Sequence, residues 1–433
     1  MKILFLTPGT GSYYCGACMR DNALARELQR AGHDVTIAPM YLPLMLDDTA
    51  HAGLEQAPVF FGGINIYLQQ KLALFRKTPA FFDRYLNTTS LLRWAARHGH
   101  MTSARDHGDM TVEMLNVETS RFQKEWNKLL TWLEPAGRPD VVCLSNALLA
   151  GFAAPLKQHL GAPVVLFFQG EDSFLDGLPE PYRSQCWTAL RDRLPDADVL
   201  LAPSRFYAGF MCGRLGLGSD AIEVVPNGIQ LDGYGAAPHE PVCPTIGYLA
   251  RMCREKGIEL LVNAFIFLAG NLGDTVTRLK IAGAATAADQ RLIDELKRRM
   301  ARAGLEARVE WSPNLTREQK IAFLRGLTLF SVPATYAEAF GLYVIEAMAC
   351  GIPVVQPNSA SFPELILATG GGVCMRPNNP EALARGWQTL LADPDKRTRL
   401  GTTGRLSVEK SFSARTMCDH FCQVTERLTR ATA

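Results

Sequence analysis

The chain has 433 residues, 47% of them hydrophobic and 20% charged, with a formal net charge of +2. This length allows two or three domains with sizeable cores, and the nearly balanced charge argues against a protein that binds nucleic acid through bulk electrostatic attraction. No apolar run in the sequence approaches the roughly 20 residues that a membrane-spanning helix needs.

The N-terminus and the cysteines predict a cytoplasmic protein. The apolar stretch near the N-terminus is too short for the core of a signal peptide, and no small-residue cleavage site follows it. The 11 cysteines are scattered along the chain, and we interpret them as mostly buried thiols in a reducing compartment.

The chain opens with a strand, a loop, a helix and a second strand. Residues 2–7 are apolar nearly throughout, which is typical of a buried parallel strand. A glycine-bearing loop at 8–16 precedes a helix predicted at 17–31, and the next strand is predicted at 34–38. This order predicts that the first half is a doubly wound α/β domain.

A Cys-x-x-Cys motif, formed by Cys15 and Cys18, lies between the first strand and the first helix. Thioredoxin-like redox sites have the same order, and a helix N-terminus there would lower the pKa of the first thiol. Nothing after Gly32 follows the thioredoxin pattern. A redox role therefore stays open beside the simpler interpretation that these are buried or loop cysteines.

Residues 67–100 mix basic side chains with large apolar ones. Such a stretch can lie on an anionic membrane surface, and it can equally form solvated amphipathic helices. We therefore expect a cytoplasmic protein and keep peripheral contact with the inner surface of the membrane as an open alternative.

Helices and strands alternate again after a long helix predicted at 110–133. A helix is predicted at 147–160 and a strand at 163–168, and residues 169–172 form a polar tip directly after that strand. The carboxyl end of a parallel strand faces the ligand crevice of an open α/β sheet. We therefore expect this tip at a binding site.

Residues 232–244 are rich in glycine and proline and are the best candidate for a domain boundary. A second alternation follows, with strands predicted at 245–249, 279–282, 307–311, 327–332, 353–356 and 372–375. The pattern predicts two doubly wound domains of similar size with a crevice between them. Residues 381–433 are predicted to be helical and long enough to cross back to the first domain.

The turn after the first strand of the second domain carries two cations. Arg251 follows the strand at 245–249, and Lys256 stands just before the next helix. Two positive charges at this edge of the sheet suit a diphosphate that leaves as an anion. A solvated basic turn is the alternative.

Two glutamates lie eight positions apart in the stretch after the predicted strand at 327–332. Glu338 falls in a loop, and Glu346 falls inside a helix predicted at 341–349. Carboxylates accept hydrogen bonds from hydroxyl groups, although acidic residues near a helix start are also ordinary because they complement its dipole.

Phe340, Gly341 and Leu342 lie between these glutamates, at the predicted helix start. Their backbone N–H groups lack partners within the helix, and the positive end of the dipole lies there, so such an end attracts phosphate. The amides can bind a phosphate, and the carboxylates on either side can accept hydroxyl groups. A nucleotide-sugar presents this pattern, because its diphosphate lies between the ribose and the sugar. The sequence therefore predicts a nucleotide-sugar site.

Four segments together match the pattern of a known family: Ala-Arg to Lys-Gly at 250–257, V-P-N-G-I at 225–229, E-A-F-G-L to E-A-M-A-C-G-I-P-V-V at 338–355, and L-A-R-E-L to G-H-D-V at 24–35. On these segments the chain resembles the family 4 retaining glycosyltransferases of the GT-B fold. The resemblance covers nearly the whole chain and is most specific in the second half.

The resemblance implies an α/β architecture of two Rossmann-like, doubly wound domains that face each other across a crevice. The first, at 1–238, would bind the acceptor, and the second, at 239–405, would bind the nucleotide-sugar. The C-terminal helix, at 406–433, would pack back on the first domain.

The resemblance also implies a role for each candidate residue. Arg251 and Lys256 would contact the diphosphate, and with Glu338, which would hold the transferred sugar, they form the predicted catalytic set. Glu346 would hold the ribose. The other members of the predicted donor-binding set are Gly16, Gln169, Asn227, Phe340, Gly341 and Leu342.

Three positions depart from the family pattern. The glycine pair before the first helix appears as Cys15 and Gly16, and Gln169 stands where family members often carry a histidine. The glycine pair usually found before Pro363 is replaced by the sequence at 360–362, which is Ala-Ser-Phe. Sugar preference is expected to depend on this last difference.

The expected reaction moves a sugar from a nucleotide-diphosphate-sugar to a hydroxyl of a glycan, lipid or small molecule, with retention at the anomeric carbon. No cofactor or metal is expected, because two cations and a helix start already neutralise the diphosphate. Gln169 cannot take a proton at pH 7, whereas Glu171 and Asp172 beside it could.

Three other functions stay open at this point. The chain could be another GT-B enzyme, such as a sugar-nucleotide epimerase or a phosphorylase. It could be a non-catalytic subunit that binds nucleotide-sugars, or a thiol redox protein that uses Cys15.

Overall fold

A computed structural model of the chain describes residues 1–8, 16–41, 60–61, 104–237 and 240–432. The chain divides into two compact units. The first unit consists of Met1–Pro203, Ala208–Val225 and Cys418–Ala433, and the second consists of Ser204–Tyr207 and Pro226–Met417. The predicted boundary between residues 238 and 239 falls on two residues outside the described ranges.

Helices and strands alternate through the described part of the chain as far as residue 224. In chain order the elements are β1 (Lys2–Thr7), α1 (Gly16–Arg30), β2 (Asp34–Pro39), α2 (Ala104–Leu115), α3 (Gln123–Leu133), β3 (Val141–Leu144), α4 (Ala153–Leu160), β4 (Val164–Phe167), α5 (Asp172–Asp176), α6 (Tyr182–Arg193), β5 (Val199–Ala202), α7 (Arg205–Leu215) and β6 (Ile222–Val224). Short 3₁₀ helices lie at Val117–Thr119, Glu134–Ala136, Ala147–Phe152 and Leu194–Asp196.

The first sheet is parallel, with the strand order β2-β1-β3-β4-β5-β6. In the centre of β1, Leu4 pairs with Thr36 on one side and Val142 on the other. Every residue of β3 and β4 is buried, because a parallel sheet is covered on both faces. Ligands of such sheets bind outside the carboxyl ends of the strands where the order reverses, which here lies between β1 and β3.

The second half repeats the alternation. Its elements are β7 (Thr245–Leu249), α8 (Ile258–Gly270), β8 (Arg278–Gly283), α9 (Gln290–Arg302), a 3₁₀ helix (Glu306–Arg308), β9 (Val309–Pro313), α10 (Arg317–Arg325), β10 (Leu329–Phe330), α11 (Leu342–Ala349), β11 (Val354–Pro357), α12 (Phe362–Thr369), β12 (Gly372–Met375), α13 (Pro380–Leu391), α14 (Pro394–Ser411) and α15 (Ala414–Thr432).

The second sheet is also parallel, in the order β12-β11-β10-β7-β8-β9. Its two central strands, β7 and β10, are neighbours, with Ile246 opposite Leu329 and Gly247 opposite Phe330. The loops that follow these two strands therefore leave the sheet side by side. The two parallel sheets confirm the predicted doubly wound α/β fold.

The last helix completes the core of the first unit. Residues of α15 from Cys418 onward belong to that unit. The ring of Phe421 lies 6.0 Å from that of Phe5 and 5.9 Å from that of Phe167, centroid to centroid. These contacts pack α15 against β1 and β4.

The prediction of a single helix at 110–133 is wrong, because two helices, α2 and α3, occupy this stretch. A 3₁₀ helix at Val117–Thr119 separates them. The Asn116 side chain donates to the carbonyl of Val112 at 2.9 Å, and the Ser120 hydroxyl donates to the carbonyl of Val117 at 2.8 Å. Side chains of this type compete with the helical backbone bonds, so the helix ends and restarts.

Other elements differ in extent from their predictions, and the strand predicted at 307–311 is found at Val309–Pro313, after the 3₁₀ helix Glu306–Arg308. The helix predicted at 147–160 begins as the 3₁₀ helix Ala147–Phe152, with the Asn146 side chain capping the N–H of Leu148, and becomes α4 afterwards. The strand predicted at 327–332 is reduced to the two residues of β10.

Residues 67–100 and Cys15 lie outside the described residues, so the membrane-surface hypothesis and the redox hypothesis stay predictions. Cys18 is buried on α1, with its sulfur 3.7 Å from the hydroxyl of Thr7. Among the helices that the structure describes, none is both long and apolar enough to cross a membrane.

Candidate active site

The framework of the site is formed by the two loops that follow β7 and β10. The N–H of Thr335 donates to the carbonyl of Glu255 at 2.9 Å, which ties the loops together. Gly257 lies between them with φ 73°, and a Cβ atom there would stand 1.8 Å from the carbonyl oxygen of Pro333. Only glycine allows this approach, and it brings Lys256 to the Glu338 loop.

Lys256 and Glu338 form an ion pair. The ammonium group of Lys256 lies 2.6 Å from Glu338 Oε2, and it also donates to the hydroxyl of Tyr336. The hydroxyls of Tyr336 and Tyr343 donate to the same Oε2 atom at 2.8 and 2.6 Å. The structure thus brings together two members of the predicted catalytic set, and adds two tyrosines to them.

The environment of Glu338 favours its ionised form. Burial by itself would raise the pKa of this carboxyl group, but the charge of Lys256 and the hydrogen bonds from Lys256, Tyr343 and Tyr336 outweigh it and lower the pKa. Burial, and then the charge of Glu338, raise the pKa of Tyr343 well above its ordinary value. Glu338 is therefore an anion, and the phenol groups of Tyr336 and Tyr343 donate hydrogen bonds to it.

All the contacts of Glu338 fall on one oxygen. Lys256, Tyr336 and Tyr343 meet at Oε2, and no residue in the described ranges donates to Oε1. The carboxylate is thus held in a fixed orientation, with one oxygen that no described residue engages.

The helix start beside Glu338 has amides without partners in the helix. Gly341 is the N-cap of α11, in a left-handed conformation with φ 90° and ψ 60°. The first bond of the helix runs from the N–H of Val344 to the carbonyl of Gly341, at 2.9 Å. The N–H groups of Gly341 and Leu342 therefore have no acceptor within the helix. Phe340 is buried, and its carbonyl accepts a bond from the Ser361 hydroxyl at 3.0 Å.

Glu346 is held in the same way as Glu338. It is buried on α11, and its Oε1 atom accepts from the Tyr234 hydroxyl at 2.9 Å and pairs with Lys320 at 2.7 Å. Among the residues that the structure describes, none donates to Oε2. Burial, and then the charge of Glu346, raise the pKa of Tyr234 well above its usual range.

Arg251 extends away from this pair of loops. Its side chain is 57% exposed and lies 3.5 Å from Asp289. Its backbone is fixed, because the Tyr248 hydroxyl donates to its carbonyl at 2.8 Å. The structure therefore places Arg251 at the predicted edge of the sheet, but it does not bring the guanidinium into contact with Glu338.

The polar tip of the first unit is organised by Glu171. This buried carboxylate accepts the N–H of Ala147 at 2.9 Å on Oε1 and the N–H of Gln169 at 2.8 Å on Oε2. Burial raises its pKa, and these backbone bonds oppose the rise. Glu171 therefore links the loop after β4 to the loop after β3.

The remaining predicted residues lie in different places. Gly16 is the exposed first residue of α1. Asn227 is buried, beside Gly228, whose N–H lies 3.3 Å from the sulfur of Met417. Asp172 is buried at the start of α5.

Sequence reasoning missed Tyr234, Lys320, Tyr336 and Tyr343. A signal exists for Lys320, because it shares the buried face of α10 with apolar side chains, where an unpaired charge is costly. No comparable pattern identifies the tyrosines. Tyr234 comes from the glycine-rich segment at 232–244 that the sequence suggests as a linker.

Two family models match the chain. The model described as "Glycosyl transferases group 1" matches residues 240–407, and the one described as "Glycosyl transferase 4-like domain" matches residues 20–228. The chain belongs to the group 1 glycosyltransferases of the family 4-like type. This confirms the predicted class of enzyme, a nucleotide-sugar glycosyltransferase.

Curated relatives are similar at moderate identity. D-inositol 3-phosphate glycosyltransferase of Pseudarthrobacter chlorophenolicus is 24% identical over 389 residues, which cover 82% of this chain and 88% of that protein. The GDP-mannose-dependent alpha-(1-6)-phosphatidylinositol monomannoside mannosyltransferase of Mycolicibacterium smegmatis is 27% identical over 234 residues, 50% of this chain and 59% of that protein.

Solved structures share the fold. Sucrose-phosphate synthase from Thermosynechococcus elongatus aligns with a TM-score of 0.70 at 19% identity, over 99% of both chains. Anabaena HepE in complex with UDP aligns with a TM-score of 0.67 at 17% identity, over 99% of this chain and 100% of that chain. These matches support the GT-B fold of two Rossmann-like domains.

Proposed function

We propose that the protein transfers a sugar from a nucleotide-diphosphate-sugar to a hydroxyl acceptor, with retention at the anomeric carbon and without a metal ion. The observation that carries the proposal is the shared arrangement of Glu338 and Glu346. Each has one oxygen engaged by a lysine and by tyrosine, while the other takes no bond from the described residues. A carboxylate oriented in this way can accept substrate hydroxyl groups.

The two glutamates are proposed to hold different parts of the donor. Glu338 Oε1 would accept hydroxyls of the transferred sugar, and Glu346 Oε2 would accept hydroxyls of the ribose. The N-terminus of α11 lies between them in sequence and offers amides to the diphosphate.

The leaving diphosphate is proposed to be neutralised by protein groups alone. An ammonium group has three donors, and among the described residues Lys256 uses two of them, on Tyr336 and Glu338. The third would bind a phosphate oxygen, and the exposed Arg251 would bind another. These cations, with the amides of α11, would take the place of a divalent ion.

The proposed reaction needs no protein base. The bond between the anomeric carbon and the diphosphate breaks, and the acceptor oxygen bonds to that carbon on the same face. The acceptor proton passes to the departing diphosphate oxygen, and the nucleoside diphosphate leaves. Support comes from Glu171, a candidate base whose two oxygens both accept backbone N–H groups.

The donor is proposed to be a sugar linked to UDP or GDP. One structural neighbour, Anabaena HepE, has been solved in complex with UDP-glucose, and one relative is a GDP-mannose-dependent enzyme. A panel of UDP- and GDP-sugars in a thermal-shift assay would identify the nucleotide, because a ligand at a hundred times its Kd stabilises by about 2.7 kcal/mol. If no nucleotide-sugar shifts the transition, the proposed function is wrong.

Stereochemistry and metal dependence are then measured with the best donor. We expect the NMR spectrum of the product to show the donor's anomeric configuration, and activity to survive EDTA. Glu338→Gln should cost much more turnover than Glu171→Gln, with Glu259→Gln as a control, since Glu259 pairs with exposed Arg254. An inverted product, or activity lost with EDTA and restored by Mg²⁺ or Mn²⁺, would contradict the mechanism.

A further inference from the structure

A cavity of about 350 Å³ lies in the second unit, on the edge of the sheet opposite to Glu338. Thr328, just before β10, and Pro353, just before β11, line it. These positions mark the amino ends of the strands, whereas the candidate active site follows their carboxyl ends. The cavity is therefore separate from the site described above.

The cavity walls carry an excess of positive charge. Arg325 comes from the last turn of α10, and Arg397 and Arg405 come from α14. One acidic residue of the described chain, Glu240, is found among the lining residues. Arg405 also pairs with Glu409, at 3.3 Å.

Arg325 is not neutralised by any carboxylate in the described part of the chain. None lies within ion-pair distance of its guanidinium, whereas Arg397 and Arg405 each have one. The group is half-buried at the C-terminal end of α10, so it presents a fork of N–H donors to the cavity that it lines.

Arg397 is buried, with 7% of its surface exposed, and it is only partly satisfied. One of its terminal nitrogens donates to the carbonyls of Leu390 and Leu391 at 3.0 and 2.7 Å, and the other pairs with Glu240 at 3.1 Å. Its Nε atom has no hydrogen-bond partner among the described residues. A buried N–H group without an acceptor is rare in folded proteins and needs an explanation.

Hydroxyl groups complete the lining. Thr328, Thr398 and Thr402 all border the cavity. Guanidinium forks and hydroxyls are groups that bind phosphate oxygens. The volume is at the lower end of the roughly 300–1,000 Å³ of small-molecule sites.

We propose that this cavity is a binding site for a small organic phosphate, distinct from the donor site. The phosphate would lie against Arg325, Arg397 and Arg405, and the uncharged part would occupy the rest of the cavity. The lining also includes Cys350 to Ile352, directly after α11, whose other end carries the amides at Gly341. A ligand here would touch the far end of the helix that forms the donor site.

The test is isothermal titration calorimetry, in which the full chain is titrated with glycerol 3-phosphate and, as the uncharged counterpart, with glycerol. We expect glycerol 3-phosphate to bind and glycerol not to bind. Arg325→Gln and Arg405→Gln should each weaken binding about ten-fold, because each removes a charged hydrogen-bond donor. Both side chains are partly exposed, so both variants are expected to fold, which a thermal melt checks.

Two variants serve as controls for charge and for location. Arg399→Gln removes an exposed charge from the same helix, α14, outside the cavity lining, and should leave the affinity unchanged. Arg251→Gln should also leave it unchanged. If Arg251→Gln abolishes binding while Arg325→Gln does not, the phosphate binds at the donor site and the proposal is wrong. Equal affinity in all variants, or no binding at all, overturns it as well.

Discussion

Replacing Lys256 by methionine removes the ammonium group, which lies over two aromatic rings, and keeps most of the apolar stem. Nζ stands 4.8 Å from the ring centroid of Tyr336 and 5.2 Å from that of Tyr343. The substitution therefore removes a charge, two hydrogen bonds and two cation–π contacts, with little loss of packing volume. Its effects on stability and on catalysis can be estimated separately.

The stability effect follows from the burial of the ion pair. The side chains of Lys256 and Glu338 are 21% and 11% exposed, so the pair is intermediate between an exposed and a fully buried ion pair. An exposed pair stabilises the fold by about 0–1 kcal/mol. Removing one partner of a fully buried pair destabilises the fold by about 3–5 kcal/mol. We expect a loss of about 2 kcal/mol in the free energy of unfolding. The hydroxyls of Tyr336 and Tyr343 still donate hydrogen bonds to Glu338 in the variant, which limits the loss of stability.

The catalytic effect is expected to be larger. A group that stabilises the leaving anion is worth about 2.7–4 kcal/mol in the transition state, which is a factor of about 10² to 10³ in kcat. Urea unfolding gives the stability, and steady-state kinetics with a saturating nucleotide-sugar give kcat. The matched control is Arg254→Met, since Arg254 is two residues away and exposed, and pairs only with Glu259 among the described residues. A Lys256→Met enzyme that turns over within two-fold of the wild type refutes the reasoning.

Three further outcomes are expected. Because the pKa of Glu338 is lowered in the folded state, its ion pair stabilises the fold above the unfolded pKa of about 4.3 and loses this effect as the pH falls through the folded pKa. The difference in unfolding free energy between wild type and Lys256→Met, measured by urea titration, should therefore be largest at pH 7 and decrease below about pH 4. Glu171→Gln should lower the free energy of unfolding by about 1–3 kcal/mol, measured in the same way, because an amide leaves one backbone N–H unpaired. Lys320→Met should raise KM for the donor more than it lowers kcat, because it releases Glu346, the proposed ribose ligand; equal effects on both parameters would contradict that role.

Most strands of both sheets could be predicted closely from the sequence because parallel strands leave a strong local pattern. The strands at 245–249 and 372–375 are found at their predicted residues, since each is an apolar run between turn residues. The break between α2 and α3 could not be predicted in this way. It depends on hydrogen bonds from the side chains of Asn116 and Ser120 to the backbone. The hydrophobic periodicity of the sequence gives no signal of these bonds.

The sequence pointed to the two glutamates and to Lys256 of the candidate site, but not to their contacts or to the tyrosines beside them. Lys256 and Glu338 are 82 positions apart, and each has a pattern that suggests phosphate or sugar binding. Their contact depends on β7 and β10 being neighbours and on the close approach at Gly257. Local sequence patterns do not encode such register, so the partners of both glutamates, including Tyr343 and Lys320, emerge only from the structure.

The ion pair between Lys256 and Glu338 does not have to break for the donor to bind. Three donors are available on an ammonium group, and among the described residues Lys256 uses two, on Tyr336 and on Glu338 Oε2. A phosphate oxygen could take the third while Glu338 Oε1 accepts a sugar hydroxyl. Lys256 would then touch both the leaving group and Glu338, the residue that we propose to hold the sugar. This bridge would hold the bond between sugar and diphosphate next to one side chain, and the site would be oriented for the reaction before the donor arrives.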